Sequence, residues 1–353
     1  MRIFRFTRST FYVLIVLVLC FIFHISISLA ESSPTQTNKP QSILRVGTMA
    51  PAGVSYTKYS MEIEELSDHR IKIELYAGGV LGDELTMVKM VQEGKLDGVL
   101  VTTVSLEEIA PETLILSLPY LFRDEYEMDF ILEKYEAIFA GYARERGVEI
   151  LSLFPVGCIQ TFSTVPILDH YDLINKKVGS RKKSNFNAAL LRSSLFQSLV
   201  PLSISEVEPA LNSGKVEVIL VPPAAAVILG WYPYIRYAVM GCDFIMIVVI
   251  LVNSDSYQSL PEEVRSTLTT VIHEQRKKMI KRARRDDEIA MLGLMKRGVN
   301  INRWSPEDME KVREDAKTLW NFGIDKWYPR ELLENIIRDL EAYRATKGRE
   351  GSK

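Results

Sequence analysis

Histidine is scarce in this chain, and the usual catalytic and nucleotide-binding motifs are missing. Four histidines occur in 353 residues, and none stands beside a nucleophile or at a metal-ligand spacing. A G-x-S-x-G elbow, a P-loop and a G-x-G-x-x-G dinucleotide fingerprint are all absent. These absences argue against a hydrolase, a zinc protein and a nucleotide-dependent protein. The sequence therefore predicts a protein that is not an enzyme and that needs no metal or cofactor.

Long apolar runs are missing after residue 30, where a predicted targeting segment ends. Three arginines precede an apolar run over 11–23, and the small residues Ser28 and Ala30 suit cleavage. The run is shorter than the roughly 20 residues that a membrane span needs. We therefore predict a cleaved signal peptide over 1–30 and export to the periplasm. The alternative is an uncleaved anchor that tethers the protein to the inner membrane.

The chain has no excess of positive charge, and cysteine is rare. Removal of the predicted signal peptide leaves 40 basic and 45 acidic residues, a net charge of −5, and no basic stripe with interleaved aromatics is present. The sequence therefore predicts no nucleic-acid partner. Cys158 and Cys242 remain, and export permits a disulfide between them. Because the sequence does not place them within bonding distance, two buried thiols are the favoured prediction.

The stretch over 71–105 predicts a β-α-β unit. Its first six residues alternate between apolar and polar, the period of a half-buried strand. Asp83 suits the N-cap of a helix that stops at Gly94, and an apolar strand follows over 96–101. Ligands in open α/β sheets bind beyond the carboxyl ends of the strands. We therefore predict ligand contacts from Thr102, Thr103 and Ser105.

Strand and helix patterns alternate through the rest of the chain. Separate strands are predicted on either side of Pro155 and, later, over 236–240 and 244–252. The last of these strands and the run over 218–229 are unusually apolar, which favours buried core, with the alternative that some of their side chains line a cleft. From Pro261 onward the pattern is helical. Together these patterns predict an α/β fold with a helix-rich C-terminus.

Three short motifs carry a family resemblance. Residues 79–84 read G-V-L-G-D-E, residues 92–98 read Q-E-G-K-L-D-G, and residues 118–124 read L-P-Y-L-F-R-D. In combination they resemble the solute-binding subunit of tripartite ATP-independent periplasmic (TRAP) transporters, over roughly 43–343. The resemblance implies a two-lobed periplasmic binding protein fold with a hinge. It also implies closure of the lobes on a small ligand, which is then delivered to membrane subunits driven by an ion gradient.

The resemblance also implies a division of the chain into lobes. A flexible lead-in over 31–42 follows the signal peptide, and a disordered tail occupies 346–353. Lobe I takes 43–156 and 244–290, and lobe II takes 157–243 and 291–345.

The family usually holds a carboxylate with two arginines and an asparagine, and this sequence departs from that pattern. The positions that match these three residues are Gly179, Ile159 and Val221. With Met49 and the polar run at 102–105, they complete the predicted ligand site. Loss of three polar contacts predicts an apolar or amphipathic ligand. The resemblance then points to the TRAP subgroup that works with a periplasmic TPR-repeat lipoprotein.

Two alternatives stay open at the sequence level. Arg181 shares a strand face with Gly179 if 177–181 is a strand, and it then becomes a carboxylate anchor for an organic acid. The favoured interpretation of the basic run over 181–183 is instead a solvated loop. The other alternative is a scaffold subunit that has lost ligand binding.

Overall fold

The computed structural model describes residues 42–51, 56–181, 184–191 and 195–350. The predicted signal peptide and nearly all of the predicted lead-in lie outside these residues. Among the described residues, every helix is too short or too polar to cross a bilayer. From Ser42 onward the chain forms one compact unit.

The described strands form one mixed sheet with the strand order β2-β1-β3-β8-β4-β7-β5-β6, and β9 pairs with β8. The strands are β1 (Ser42–Thr48), β2 (Ile71–Tyr76), β3 (Gly98–Thr102), β4 (Val148–Ser163), β5 (Lys177–Arg181), β6 (Ser198–Leu202), β7 (Val218–Val221), β8 (Tyr237–Asn253) and β9 (Asn300–Asn302).

Helices cover the sheet and dominate the C-terminal part. They are α1 (Tyr56–Leu66), α2 (Glu84–Gln92), α3 (Glu125–Arg144), α4 (His170–Ile174), α5 (Asn185–Leu190), α6 (Ile204–Asn212), α7 (Pro223–Ile228), α8 (Ser254–Ser259), α9 (Glu262–Lys296), α10 (Pro306–Gly323) and α11 (Arg330–Glu350). Short 3-10 helices lie at Thr103–Leu106, Pro111–Ser117 and Tyr232–Tyr234. The predicted disordered tail begins too early, because α11 continues to Glu350.

The predicted β-α-β unit is present, with one strand inserted. β1 pairs in parallel with both β2 and β3, so it lies between them. Asp83 caps α2 as predicted, because its carboxylate accepts from the Thr86 amide at 2.8 Å. Met87 and Val91 on α2 are fully buried against the sheet. The result holds the carboxyl end of β3 next to the first turn of α2.

β4 and β8 are long antiparallel strands that pair along their whole lengths. The prediction of two separate strands in each place was wrong. Pro155 does not end β4, because register shifts on both sides of it let the ladder with β8 continue. One of these shifts lies at Gly157, which has a φ of +142°, a conformation that glycine adopts readily. β4 and β8 thus connect β3 on one side with β7 and β5 on the other.

Cys158 and Cys242 form a disulfide between β4 and β8. The prediction of two buried thiols was therefore wrong. Local sequence patterns do not reveal that the two strands pair. The ladder brings Cys158 opposite Ile245, close to Cys242.

The largest hydrophobic cluster packs α3, α10 and α11 against one part of the sheet, and it contains the fully buried Phe139, Leu153 and Tyr328. A second cluster surrounds β7 and includes Phe162 and Trp231. The boundaries of the two lobes stay predictions.

Candidate functional site

A cavity of about 390 Å³, which we call the ligand cleft, lies where β3, β4, β5, β7 and β8 approach one another. The structure brings the predicted site residues together here. Seven of the eight line the cavity, and the eighth, Ser105, bonds to one of them. The seven are Met49, Thr102, Thr103, Ile159, Gly179, Arg181 and Val221. Their role in binding a ligand stays a prediction.

Arg181 ends β5 and reaches across this cavity to residues of the β3 end. Its Nη1 donates to Thr102 Oγ1 at 2.6 Å. Its Nη2 donates to Glu84 Oε2 at 2.8 Å and to Ser105 Oγ at 3.0 Å. The Asn187 side chain donates to the Arg181 carbonyl at 2.8 Å, which fixes the end of the strand. The interpretation of Arg181 as part of a solvated loop was therefore wrong, while residues 182 and 183 lie outside the described residues.

Glu84 is the buried acid that holds Arg181, and its side chain is 10% exposed. The same carboxylate oxygen accepts from the Thr102 amide at 3.2 Å and from Thr102 Oγ1 at 2.8 Å. It also accepts from Ser105 Oγ. The two hydroxyl groups thus donate to Glu84 and accept from Arg181, so donors and acceptors alternate around the cluster.

The ionisation of Glu84 follows from these partners. Burial acts to raise the pKa of Glu84, but the Arg181 charge and the hydrogen bonds from Ser105, Thr102 and Arg181 outweigh it, so the pKa is lowered. Glu84 is therefore a carboxylate at neutral pH, and Arg181 is neutralised by a residue of its own chain. The Arg181 side chain remains 41% exposed toward the cavity.

Most of the remaining cavity wall is apolar, although Asp83, Ser117, Ser180, Asn187 and Ser203 also line it. The apolar part comes mainly from α5, β6, α6, β7, α7 and the middle of β8. The apolar side chains are those of Leu85, Val104, Phe186, Leu190, Phe196, Leu199, Leu202, Ile204, Val207, Ile219, Leu220, Ala225, Leu229, Trp231, Phe244, Ile245, Met246 and Ile247. The apolar runs over 218–229 and 244–252 thus serve as core and also line the cavity.

Glu84 is a site residue that the sequence does not reveal. It ends the G-V-L-G-D-E motif and directly follows the helix cap Asp83. Nothing local showed that it faces Arg181, which lies 97 positions further along the chain. The predicted strand 177–181, with Gly179 and Arg181 on one face, was the available signal, and both residues do line the cavity.

No cluster suited to a metal is present among the described residues, since three His, Cys, Asp or Glu side chains nowhere group together there. The site that remains is a largely apolar cavity with one charged corner. Such a cavity, lined by apolar side chains with a few polar groups, is typical of a small-molecule binding protein.

The comparisons with solved structures identify the same class. The fold matches a TRAP periplasmic solute binding protein from Ochrobactrum anthropi with a TM-score of 0.77, at 18% identity over 87% of this chain and 97% of that chain. It also matches one from Chromohalobacter salexigens with bound D-glucuronate, with a TM-score of 0.75, at 19% identity over 85% of this chain and 99% of the other. The chain therefore has the two-lobed periplasmic binding protein fold.

The family model described as bacterial extracellular solute-binding protein, family 7 (DctP), matches residues 46–326. The chain belongs to this family and is a periplasmic solute receptor of the TRAP type. The family and the fold are those of receptors and not of enzymes.

Among curated relatives, a solute-binding protein of Chromohalobacter salexigens is 22% identical over 82% of this chain and 85% of the relative. The ectoine-binding periplasmic protein TeaA of Halomonas elongata is 23% identical over 79% of this chain and 83% of the relative.

Proposed function

We propose that this receptor binds an organic acid whose carboxylate lies beside Arg181 and whose remaining body packs on the apolar wall. The observation that carries the proposal is the Arg181 guanidinium, which extends into the cavity and stays partly open to it. Arginine matches a carboxylate with paired donors and keeps its charge when buried. The earlier expectation of a ligand without a carboxylate has less support.

Solved relatives support the acid. Besides the D-glucuronate complex, a receptor from Xanthobacter autotrophicus holds β-D-galacturonate. This chain lacks arginine and asparagine at the three positions named above, so Arg181 takes the role of anchor here. Gly179 and Arg181 share the cavity face of β5, which puts the guanidinium two residues from the position expected for the family's principal arginine.

Glu84 narrows the chemistry of the acid. Because Glu84 already neutralises Arg181, a ligand carboxylate adds a net negative charge to a cavity of low polarity, which is unfavourable. A ligand that also donates a hydrogen bond or a positive charge to Glu84 offsets that cost. We therefore expect an amphipathic hydroxy acid or amino acid derivative rather than a simple fatty acid.

The test is calorimetry with a panel of ligands: a sugar acid, an aliphatic hydroxy acid, an aliphatic amino acid and a neutral alkyl alcohol. We expect an acid to bind the purified receptor and Arg181→Ala to weaken it by about a hundredfold, the loss of a charged pair worth roughly 3 kcal/mol. Arg282→Ala is the matched control, because Arg282 is exposed on α9, and it should bind normally.

The same panel separates the alternatives. Equal binding of the acid by wild type and Arg181→Ala would contradict the proposed anchor. Binding of the neutral alcohol alone would favour the apolar ligand, and no binding of any compound would favour a ligand-free scaffold.

The transport partners follow from the family. TRAP receptors deliver their ligand to membrane subunits, and hinge closure of the lobes gives those subunits a loaded form to recognise. A periplasmic TPR-repeat lipoprotein stays a prediction for this chain. Co-purification from membranes with a tagged receptor, in the presence and absence of ligand, tests both partners.

A further inference from the structure

A second cavity, of about 210 Å³, is lined by three arginines from three different parts of the chain. Arg123 precedes α3, Arg303 lies between β9 and α10, and Arg313 lies on α10. We call this cavity the arginine pocket. Its other walls come from Tyr120, Phe122, Met240, Gly241, Cys242, Trp304 and Met309. None of these residues lines the cleft described above.

The described lining of the arginine pocket contains donors without matching acids. No Asp or Glu belongs to it. The Trp304 side chain is buried, with 7% of the residue exposed, and its indole N–H is buried without a hydrogen-bond partner in the described structure.

The nearest acids are engaged elsewhere. Glu127 accepts from Arg344 Nε at 2.7 Å and Nη2 at 2.6 Å, and from the Arg123 amide at 2.9 Å. Glu310 meets Arg313 at 3.4 Å, but its own side chain is 64% exposed, so this pair is weak. Asp243 lies behind the wall, where its carboxylate accepts from Thr161 Oγ1 at 2.8 Å.

The positive charges of neighbouring arginines act on Arg123. Burial and then the Arg344 charge lower the pKa of Arg123, and Arg313 adds a smaller lowering, while Glu127 and Glu310 act in the opposite direction. The wall is also held in a costly conformation: Tyr120 has a φ of +57°, and its amide donates to the Asp243 carbonyl at 2.9 Å. Left-handed backbone is unfavourable at a residue with a side chain.

We propose that the arginine pocket is a second binding site, separate from the ligand cleft, which takes a small oxyanion of the phosphate or sulfate type. Three arginines from three different parts of the chain line the pocket and supply its donors. An anion with four oxygens accepts hydrogen bonds from more of these donors than a carboxylate with two oxygens. Two of the lining residues are held in place by the fold, because Cys242 is in a disulfide and Trp304 is buried.

The experiment titrates inorganic phosphate, sulfate and acetate against the full receptor at constant ionic strength, with thermal unfolding and calorimetry as readouts. We expect saturable binding of phosphate and sulfate, with acetate weaker by about tenfold. Arg123→Gln/Arg313→Gln should lose at least about tenfold in phosphate affinity. The exposed control Arg282→Gln should bind like the wild type.

Two further variants keep the outcome decisive. Arg181→Ala should leave phosphate binding unchanged, and a loss there would place the anion in the ligand cleft and overturn the proposal. If the double variant does not fold, the single variant Arg303→Gln, at an exposed position, takes its place. Phosphate binding that is equal in wild type and pocket variants, or acetate as tight as phosphate, would also overturn the proposal.

Discussion

The ligand cleft and the arginine pocket present their cations in opposite ways. In the cleft, Arg181 is paired with buried Glu84 and two hydroxyl groups. In the arginine pocket, three arginines line a space whose described lining has no carboxylate. In the cleft the cation meets a buried acid, whereas in the arginine pocket Arg313 meets the exposed Glu310 and no carboxylate belongs to the described lining.

This contrast shows that an arginine in a cavity does not by itself define the ligand. A guanidinium paired internally selects for a partner that satisfies its acid as well, while clustered guanidinium groups select for charge. The two cavities also share structure, because Cys242 lines the arginine pocket while Ile159, next to Cys158, lines the cleft. Changes along β4 and β8 therefore test both sites together.

The largest effect is expected from removing the disulfide that links these two strands. Cys158 and Cys242 are 84 residues apart in the chain, so Cys158→Ser/Cys242→Ser should lower the free energy of unfolding by about 4 kcal/mol through the greater freedom of the unfolded chain. Urea denaturation monitored by circular dichroism measures the change. Wild type in reductant should shift by a similar amount.

An unchanged midpoint together with two titratable thiols in the wild-type protein would restore the earlier expectation of free cysteines. It would also separate the two cavities, since no covalent link would then hold their common wall.

The next largest effect is expected at the charged corner of the cleft. Arg181→Ala leaves Glu84 buried without its cation and should cost about 3 kcal/mol at neutral pH, less than a fully buried pair because Arg181 is partly exposed. The folded pKa of Glu84 is lowered, so the pair stabilises the fold above the ordinary pKa of a glutamate and stops doing so as the pH falls below it. The difference between wild type and variant should shrink in acid.

The double variant Glu84→Gln/Arg181→Ala is the matched control, because it leaves no buried charge unpaired. It should be more stable than Arg181→Ala at neutral pH. A double variant that is as unstable as the single one would mean that packing, and not charge, explains the loss.

The sequence predicts much of this corner, but not its central contact. The alternation over 71–76, the Asp83 cap and the strand at 177–181 are local patterns with the period or chemistry of their element, and the structure has all three. The partners of Arg181 come from residues 76 to 97 positions away. Local periodicity carries no information about such pairing, which depends on how β4 and β8 connect the two halves of the sheet.

The long strands themselves escaped prediction for a related reason. Pro155 and Gly157 are typical breaks in a strand, and a single sequence gives no sign that register shifts absorb them. The disulfide could not be predicted for the same reason, because the Cys158–Cys242 distance depends on the β4–β8 register. The arginine pocket was missed altogether, since its arginines come from 123, 303 and 313.

A smaller effect is expected from Asp243, which is buried and follows Cys242 on β8. Burial raises the pKa of Asp243 to about 6, against hydrogen bonds from Thr161 and Tyr120 that lower it. Because the folded pKa is above the ordinary value, this group favours folding at low pH, and that contribution is lost as the pH rises from about 4 to 6. Over that range Asp243→Asn should gain about 2 kcal/mol relative to wild type.

Urea titrations at several pH values give the free energy of unfolding of the wild type and of Asp243→Asn. The difference between these two free energies isolates Asp243, because the other carboxylates titrate in both proteins. A constant difference from pH 4 to pH 7 would mean that Asp243 stays ionised in the fold.

The smallest effect is expected at Arg123, and its sign tests the contrast between the two cavities. Arg181 stabilises the empty protein, whereas at Arg123 burial and the charges of Arg344 and Arg313 outweigh the opposing charges of Glu127 and Glu310. Without phosphate, Arg123→Gln should therefore change stability by no more than about 0.5 kcal/mol, in the stabilising direction. With saturating phosphate the order should reverse, because the wild type binds the anion more tightly and ligand binding stabilises the folded state. Thermal unfolding with and without phosphate gives both values. A variant that is less stable than wild type by the same amount in both conditions would show that Arg123 serves packing alone.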